Sequence, residues 1–292
     1  MKKVNLLILL LFSVLFYIGC GTTKETTPPL RNSNVVDTAK YKCTYNFKFL
    51  ADTITMRYRD HDLYVIQIGE NFTKSYCYQV FYMDSIHNNP YRMTFNLEPQ
   101  IKYFEENSHA LAARDPAALA GAEKFSRGFF PFYVYKDLKK DKITVVDNIS
   151  VYSFTYEEEL KPQGWTIMED TMTILGYSCQ KAVCSFRGRD WEAWFTSEIP
   201  ISEGPWKFCG LPGLITKLED SESHCIFEMN SFQKVNEPIH TYIVGRKMDR
   251  IPFLKLKMGR EGDALVAMAY EKIGIVYSSE KKHYDHIERD YK

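Results

Sequence analysis

Apolar and polar residues alternate along much of the chain, and this alternation predicts β-strands. The clearest run is 41–49, in which apolar residues hold the odd positions and polar residues the even ones. A run of this kind forms a strand with one buried and one solvated face. Further runs of strand character lie at 63–68, 75–83, 143–146, 151–156, 165–168, 171–175, 177–186, 191–196, 214–219 and 225–229.

Two segments have helical rather than strand spacing. Asp115 and Pro116 are typical of a helix start, since aspartate caps the first turn and proline fits its first position. Helix formers then continue to residue 125. Between 262 and 274 the apolar residues share one helical face, and the closing glycine suits a C-terminal cap. About ten consecutive short strands and two or three helices predict an α+β fold whose curved sheet is mostly antiparallel.

Composition narrows the class of protein. The chain has 292 residues, of which 45% are hydrophobic, and 37 basic residues balance 37 acidic ones. That apolar content suits a folded body and excludes a disordered chain. The neutral net charge disfavours a nucleic-acid partner, which would require a basic surface. A protein that crosses the membrane many times is also disfavoured, because only one long apolar run occurs.

That apolar run lies at the N-terminus and predicts export. Lys2 and Lys3 precede the stretch 4–18, and Gly19 leads directly into Cys20. A charged start, a short apolar core and a small residue are the parts of a secretory signal peptide. A cysteine after the small residue fits a bacterial lipobox, so we expect cleavage there and acylation of Cys20, which would anchor the protein stably. An uncleaved anchor helix and an ordinary signal peptide are the alternatives.

The domain organisation follows from this leader. Residues 1–19 form the signal peptide, 20–40 the lipidated cysteine with a flexible polar tether, and 41–292 one β-rich domain without an internal linker. The expected location is the cell envelope, with a lipid anchor in the outer membrane and the side that the protein faces left open. The tail from residue 278 is highly charged, and we expect it to fray.

Six cysteines follow Cys20, and an even number in an exported protein suggests disulfides. Cys43 with Cys77 is the expected first pair, because both lie in early strands. Cys179 and Cys184 cannot bond each other if one strand carries both, since they then point to opposite faces. Buried free thiols are the alternative. The candidates for disulfides are Cys43, Cys77, Cys179, Cys184, Cys209 and Cys225.

A short run between two predicted strands combines several backbone constraints. Proline in the second and glycine in the third place of 211–214 are typical of a type II β-turn, since proline presets φ and glycine accepts positive φ. The run contains no titratable side chain, so we interpret it as structural. Its residues are Gly210, Leu211, Pro212, Gly213, Leu214 and Ile215.

With this run the sequence resembles the GLPGLI family, and the resemblance is densest between 165 and 220. It implies an exported protein of Bacteroidota, often a lipoprotein, with no established activity and no catalytic residues to transfer. The strand pattern is also similar to the half-barrel of lipoprotein carriers, so a half-barrel is expected by analogy of fold alone. Further residues that carry the resemblance are Trp165, Ile167, 176–177, 179–182, 186–189, 193–196, 199–200 and 204–205.

Two sets of side chains are candidates for binding. Arg187 and Arg189 could hold a carboxylate or phosphate, because guanidinium groups match these anions. A solvated turn with a local Arg–Asp pair is the alternative. Aromatic residues could line a groove for an apolar ligand, and ordinary core packing is the alternative there. The groove candidates are Trp191, Trp194, Phe195 and Trp206.

Catalytic and metal chemistry find little support in the sequence. No nucleophile-elbow, zincin, P-loop or Rossmann pattern occurs, and no C-x-x-C spacing indicates zinc. His224 adjoins Cys225, but adjacent strand residues face opposite sides. His283 and His286 lie in the charged tail, where solvated side chains are the simpler interpretation. We therefore expect neither a metal nor a cofactor.

Three classes of function stay open, and we rank them. The first is a non-enzymatic carrier of a lipid or other apolar ligand, which predicts a groove beside the candidate tryptophans. The second is a scaffold that recognises an outer-membrane protein partner near 210–215, which predicts an exposed apolar patch there. The third is an unrecognised hydrolase or redox enzyme, which requires polar groups that converge in a cleft.

Overall fold

Twelve β-strands form one sheet in the computed structural model, which describes residues 34–53, 56–78, 80–81, 106–107, 117, 132–149, 152–243, 245–259 and 286–291. The strands are β1 (Asn34–Asp52), β2 (Arg57–Ile68), β3 (Phe72–Cys77), β4 (Tyr133–Asp137), β5 (Lys142–Ile149), β6 (Tyr152–Glu159), β7 (Thr166–Ile174), β8 (Tyr177–Phe186), β9 (Arg189–Thr196), β10 (Leu214–Asp220), β11 (Cys225–Thr241) and β12 (Arg246–Lys247).

The sheet is open and almost entirely antiparallel, which confirms the predicted pairing. Its spatial order is β12-β6-β5-β4-β3-β2-β1-β11-β10-β9-β8-β7, so β12 and β7 are the two edges. Only the short pairing of β12 with β6 is parallel. Strands that follow one another in sequence mostly lie side by side, because short turns can join antiparallel neighbours directly.

The alternation in β1 shows how the sequence selects these strands. Tyr45, Phe47 and Phe49 are buried, whereas Asn46 between them is exposed. Phe47 stacks on Phe227 of β11, with the ring centroids 4.2 Å apart. The odd positions of the predicted run therefore face the core, as a period of two requires.

The start of β1 differs from the sequence prediction. The strand begins at Asn34, so the last residues of the predicted tether already belong to the sheet. The carboxylate of Asp37 accepts backbone hydrogen bonds from Asn71 and Phe72 in the turn between β2 and β3, at 2.7 and 3.0 Å. These contacts fix residues that the polar composition alone assigns to a flexible segment.

The other strands agree with the prediction to different degrees. β8 has the predicted bounds, whereas the separate runs 165–168 and 171–175 form one strand, β7, with an irregular middle. β11 continues well past its predicted end at residue 229. β4 and β12 were not predicted, since both are short and lack a clear alternation.

One helix has bounds within the described residues, namely α1 (Arg250–Met258). Its buried Phe253 packs against Phe154 of β6, with the ring centroids 5.4 Å apart. The expected count of two or three helices was therefore too high for the described part of the chain. The segments that carried the helix predictions, 115–125 and 262–274, lie outside the described residues apart from residue 117.

Two tight turns join β7 to β8 and β8 to β9. Leu175 and Gly176 have φ values of 51° and 87°, and Arg187 and Gly188 have 54° and 76°. Two successive residues with positive φ form the turn whose twist matches antiparallel strands. Glycine at the second place allows this conformation, because it has no Cβ.

The long connection between β9 and β10, called here the β9–β10 loop (197–213), covers one face of the sheet. It buries Trp206 and Phe208 against Trp191 of β9. The ring centroids of Trp191 lie 4.9 Å from Phe208 and 6.3 Å from Trp206. Trp206 has a left-handed φ of 57°, which a bulky residue adopts only when its surroundings hold it there. The loop is therefore part of the core.

A buried ion pair fastens this loop to the middle of the sheet. Lys136 of β4 lies 2.6 Å from the carboxylate of Glu203, and both side chains are almost fully buried. Lys136 also donates to the carbonyl of Phe208 at 2.7 Å, and Thr73 donates to Glu203 at 3.3 Å. Because these groups satisfy one another, the two charges are tolerated away from water.

The C-terminal segment 286–291 is docked, in contrast to the fraying expected of the tail. Glu288 is buried and pairs with Lys207 of the β9–β10 loop at 2.6 Å. Arg189 donates to the carbonyl of Ile287 at 3.2 Å. The charged residues of this segment therefore bind partners inside the fold, which the sequence could not show because those partners are distant along the chain.

The predicted type II turn at 211–214 is wrong. Such a turn needs a positive φ at Gly213, and Gly213 is not among the residues with positive φ, whereas Gly210 has a φ of 95°. Glycine is needed at position 213 for a different reason. A Cβ built there would lie 2.0 Å from the carbonyl oxygen of Thr196. The position therefore requires glycine because two backbone segments approach closely.

The disulfide prediction is also wrong for the described residues. All six candidate cysteines are buried, and none of them forms a disulfide with another described residue. Cys43 lies opposite Ile66 of β2, and Cys77 opposite Tyr64, so strand spacing puts the two cysteines about 12 Å apart. A disulfide spans no more than about 7 Å between Cα atoms. Burial raises the pKa of Cys43 to about 12, which leaves an unreactive thiol.

Candidate functional site

β7, at one edge of the sheet, is its most exposed strand. Eight of its nine residues are exposed, and within the sheet it pairs with β8 alone. An edge strand of this kind presents backbone groups that a further strand can bind. The large apolar side chains exposed along this edge, with their exposed fractions, are Ile167 (47%), Met168 (38%), Met172 (39%) and Leu175 (55%).

The middle of β7 is a bulge. Ile167 pairs with Ala182 and Thr171 with Gln180, so the strand holds two more residues than β8 over this interval. The side-chain amide of Gln180 donates to the carbonyl of Met168 at 2.8 Å and supports the bulged backbone. A bulge twists the strand and separates two short regular segments at the edge.

Two acidic residues occupy this bulge. Glu169 and Asp170 are both exposed, and neither forms an ion pair with another described residue. The nearest basic residue on β8, Lys181, binds Glu192 at 2.6 Å instead. The charge of Asp170 acts on Lys181 without a direct contact. The edge therefore combines apolar side chains with two exposed acidic side chains, a surface that complements a basic partner.

The base of β7 is fixed to the β9–β10 loop. The indole N–H of Trp165 donates to the carbonyl of Cys209 at 2.8 Å, and its ring lies 5.7 Å from that of Phe208. The amide of Cys209 in turn donates to the side chain of Gln163 at 2.9 Å. The exposed strand therefore starts from a rigid base beside the run 210–215.

An open depression of about 570 Å³ adjoins the start of β7. Thr166 of β7, Val183 of β8 and Trp191 of β9 are among the residues that line it. Asp190 and Glu192 add two further carboxylates to its lining. The surface next to β7 is thus concave and acidic as well as partly apolar.

The four groove candidates do not come together around an open groove. Trp191, Phe195 and Trp206 are each 3% exposed or less and belong to the core. Trp194 points to the other face, where its indole donates to Glu192 at 2.8 Å. The cavity beside Trp206 measures about 30 Å³ among the described residues, which is room for about two waters. Core packing is the role that the geometry gives these residues.

The two candidate arginines are already paired. Arg189 binds Asp220 at 2.6 Å, and both side chains are 1% exposed. Arg187 binds Glu158 and, at 3.3 Å, Asp290. The alternative to an anion site was an Arg–Asp pair within the turn. The structure does contain Arg–Asp pairs, but their aspartates lie further along the chain than the turn itself.

One acidic cluster has the donor types of a metal site. Asp220, Glu222 and His224 can place their ligand atoms within 4.8 Å of one another. However, Arg189 binds Asp220, and Arg289 binds Glu222 and approaches His224 at 3.2 Å. The two guanidinium groups already neutralise these carboxylates, so the cluster does not fit a metal ion.

The export prediction rests on residues outside the described part of the chain. Among the described helices, none has both the length and the apolar character needed to cross a bilayer. Residues 1–33 are not described, so cleavage before Cys20 and its acylation stay predictions.

The fold and this site define the chain as an open β-sheet protein with an exposed edge. Residues 187–217 match the profile of a family described as "Protein of unknown function (Porph_ging)", and the match includes the run 210–215. No curated protein sequence matches.

Two solved structures are weakly similar. "Structure of PNGF-II in P21 space group" is 14% identical, with a TM-score of 0.46 over 76% of this chain and 33% of that chain. "Structure of PNGF-II in C2 space group" is 14% identical, with a TM-score of 0.43 over 74% and 31%. The chain thus spans about a third of their length.

Sequence reasoning missed the edge position of β7. The runs 165–168 and 171–175 were predicted as strands, but an alternating pattern does not show which strand ends a sheet. One signal was present, since Glu169 and Asp170 interrupt the two runs. Charges in the middle of a strand are typical of edges, where they prevent unspecific pairing.

Proposed function

We propose that this chain is an exported lipoprotein of the GLPGLI family that binds another envelope protein along the edge strand β7. The observation that carries the proposal is the exposure of β7 on both faces, with four large apolar side chains beside an unpaired edge. The family assignment rests on the run 210–215 and the residues around it. The profile match over 187–217 is to a family of unknown function and supports only that coarser relationship. The anchor rests on the lipobox pattern before Cys20.

Strand addition is the binding mode that this edge suits. In that mode the main chain of a partner supplies affinity through hydrogen bonds, and alternate side chains supply specificity. Met172 and Leu175 offer apolar contacts next to the regular segment after the bulge. Glu169 and Asp170 favour a partner segment that carries lysine or arginine.

A second copy of the same chain fits this edge less well. Antiparallel self-pairing about the middle of β7 would bring Asp170 opposite the Asp170 of the other copy. Like charges directly opposite each other destabilise a strand pair. The partner that we propose is therefore a different protein with an extended basic segment.

The carrier hypothesis and the enzyme hypothesis receive less support from the geometry. The candidate tryptophans that would line a lipid groove are mostly in the core, and the cavity beside them holds about two waters. His224, the residue named for the enzyme hypothesis, has Glu222 at 3.4 Å and Arg289 at 3.2 Å as charged neighbours. Recognition of a protein partner is the function that the described surface supports best.

The docking proposal is tested by titrating the purified protein with a short peptide that alternates valine with lysine. Backbone amide NMR should show the largest shifts in 166–175, and a matched peptide with glutamate in place of lysine should bind far more weakly. Met172→Gln should reduce binding, whereas Met56→Gln, a control at an exposed methionine away from β7, should not. Equal binding of the two peptides, or unchanged β7 amides, would contradict the proposal.

The proposed anchor is tested separately by mass spectrometry of the protein from an expressing bacterial membrane. The wild type should carry an acylated N-terminal Cys20, and Cys20→Ser should release an unmodified protein from the membrane. A wild-type mass without acyl chains would refute the anchor and leave the docking proposal untouched.

A further inference from the structure

Lys74 is a buried lysine in the middle of the sheet, on the face opposite the β9–β10 loop. It lies on β3, between Gln67 of β2 and Tyr135 of β4, and its exposed fraction is 3%. Lysine is almost never fully buried unless a negative group pairs with it. A buried ammonium group at this place therefore needs an explanation.

Aromatic rings surround the ammonium group. The Nζ atom lies 4.9 Å from the ring centroid of Tyr76, 5.3 Å from Tyr133 and 5.5 Å from Phe81. These contacts attract the cation through the ring faces, but they replace only part of its lost hydration. Burial accordingly lowers the pKa of Lys74 to about 8, despite the charge of Glu237.

No negative group is in direct contact with this ammonium among the described residues, although the charge of Glu237 acts on it from a distance. Lys74 forms no hydrogen bond and no ion pair there. The nearest carboxylate, Glu237, is already bound by Lys42 at 3.0 Å and by the amide of Gln67 at 2.7 Å. His240 also faces this region, and burial together with the charge of Lys74 lowers its pKa.

The aromatic cluster continues from Lys74 to the surface. Tyr76 contacts Phe81 at 5.2 Å, and Phe81 contacts Tyr78 at 6.3 Å between ring centroids. Tyr78 is 45% exposed, so the cluster of packed rings extends from the buried ammonium to the surface. A molecule that enters along the rings would bring its charged end to Lys74.

We propose that Lys74 and the rings of Tyr76, Phe81 and Tyr133 form a binding site for a small monocarboxylate with an apolar body. The carboxylate supplies the missing counter-charge through a charge-assisted hydrogen bond, and the rings pack against the body of the ligand. The site lies on β3, on β4 and on Phe81 shortly after β3, and it is independent of the proposed docking along β7.

The test uses octanoate as the probe, with octanamide as an uncharged ligand of the same length. Binding to the full chain is measured by NMR of the lysine side chains, in which the Lys74 signals report on the site itself. We expect saturable binding of octanoate with shifts of the Lys74 signals, and affinity at least about tenfold weaker for octanamide and for Lys74→Met. The matched control is Lys48→Met, since Lys48 also lies over a ring, 4.7 Å from Tyr58, but is only half-buried.

Two results would overturn the proposal. One is octanoate binding that leaves the Lys74 signals unchanged or that persists in Lys74→Met. The other is equal affinity for octanoate and octanamide, since a site without a role for the ammonium would not distinguish them. Removal of a buried charge is not expected to unfold the chain, so a folded Lys74→Met variant keeps the comparison available.

Discussion

Replacement of Gly213 by alanine tests how the β9–β10 loop returns to the sheet. The structure gives a direct measure of the perturbation, because the added Cβ would lie 2.0 Å from the carbonyl oxygen of Thr196 and 2.6 Å from its carbonyl carbon. Real Cβ atoms do not approach other atoms closer than 3.0 Å. Both clashing atoms belong to the backbone of β9, so no side-chain rotation can relieve the contact.

The expected cost of Gly213→Ala is about 3 kcal/mol or more, because two backbone segments must separate by about 1 Å within a packed core. Two matched controls separate the possible causes. Gly176→Ala introduces a Cβ at a φ of 87° with no atom nearby, so it should cost about 1 kcal/mol through strain alone. Gly164→Ala has neither a close atom nor a positive φ, so it should be neutral or slightly stabilising.

Denaturant unfolding of the three variants measures these differences as shifts in the midpoint at constant slope. Stability should decrease in the order Gly164→Ala, Gly176→Ala, Gly213→Ala. If Gly213→Ala were as stable as Gly164→Ala, the close approach to Thr196 would be refuted. A value equal to that of Gly176→Ala would instead indicate a strained turn.

Three further predictions concern buried charges. Lys136→Met should destabilise the fold by about 3 kcal/mol because it leaves the carboxylate of Glu203 buried and unpaired, and the added change Glu203→Gln should recover part of this loss in denaturant unfolding. The pKa of Lys74 is about 8 in the folded chain and about 10.4 when unfolded. Between these values only the unfolded chain holds the proton, so the wild type should gain roughly 3 kcal/mol over Lys74→Met as pH rises through that window. A pH-independent difference would argue against the buried ammonium. Burial would raise the pKa of Glu288, but Lys207 and neighbouring arginines outweigh it and lower that pKa. The stability that wild type has over Glu288→Gln should therefore be present at pH 7 and fall below about pH 4.3, and acid titration of both proteins should show the two curves converging.

The class of fold was predictable because its signal is local. In 41–49 the polarity of each residue indicates which face of the strand it occupies. The strands that follow repeat this alternation a short distance further along the chain. Antiparallel pairing then follows from the short connections. The start of the sheet at Asn34 was missed, because the partner of Asp37 is a backbone turn more than thirty residues away.

The burial of charged residues could not be predicted from the sequence, for a related reason. Lys74 and Lys136 occupy polar positions in short strands, where one face of a strand is usually solvated. The structure covers both faces, since Glu203 of the β9–β10 loop reaches one and Tyr242, directly after β11, reaches the other. When a segment distant along the chain buries a residue, the local pattern of polar and apolar positions does not change. The sequence therefore does not show that the residue is buried.

The run 210–215 shows that a motif, too, does not reveal its contacts with distant parts of the chain. Its proline and glycine indicated a constrained backbone, and the constraint is present at Gly210 and Gly213. Its physical cause differs between the two, because one glycine has a positive φ and the other avoids a backbone contact with Thr196. Only the partner of the contact, which the motif does not contain, distinguishes these causes.

The central claim is that β7 binds an extended segment of another envelope protein, and hydrogen–deuterium exchange tests it most directly. The full protein is measured in isolated membranes of its producing cells and after purification. If β7 binds such a segment, 166–174 should exchange more slowly in the membranes and 225–241 should not change, and the double variant Glu169→Lys and Asp170→Lys should lose the protection. Equal exchange of 166–174 in both preparations would contradict it.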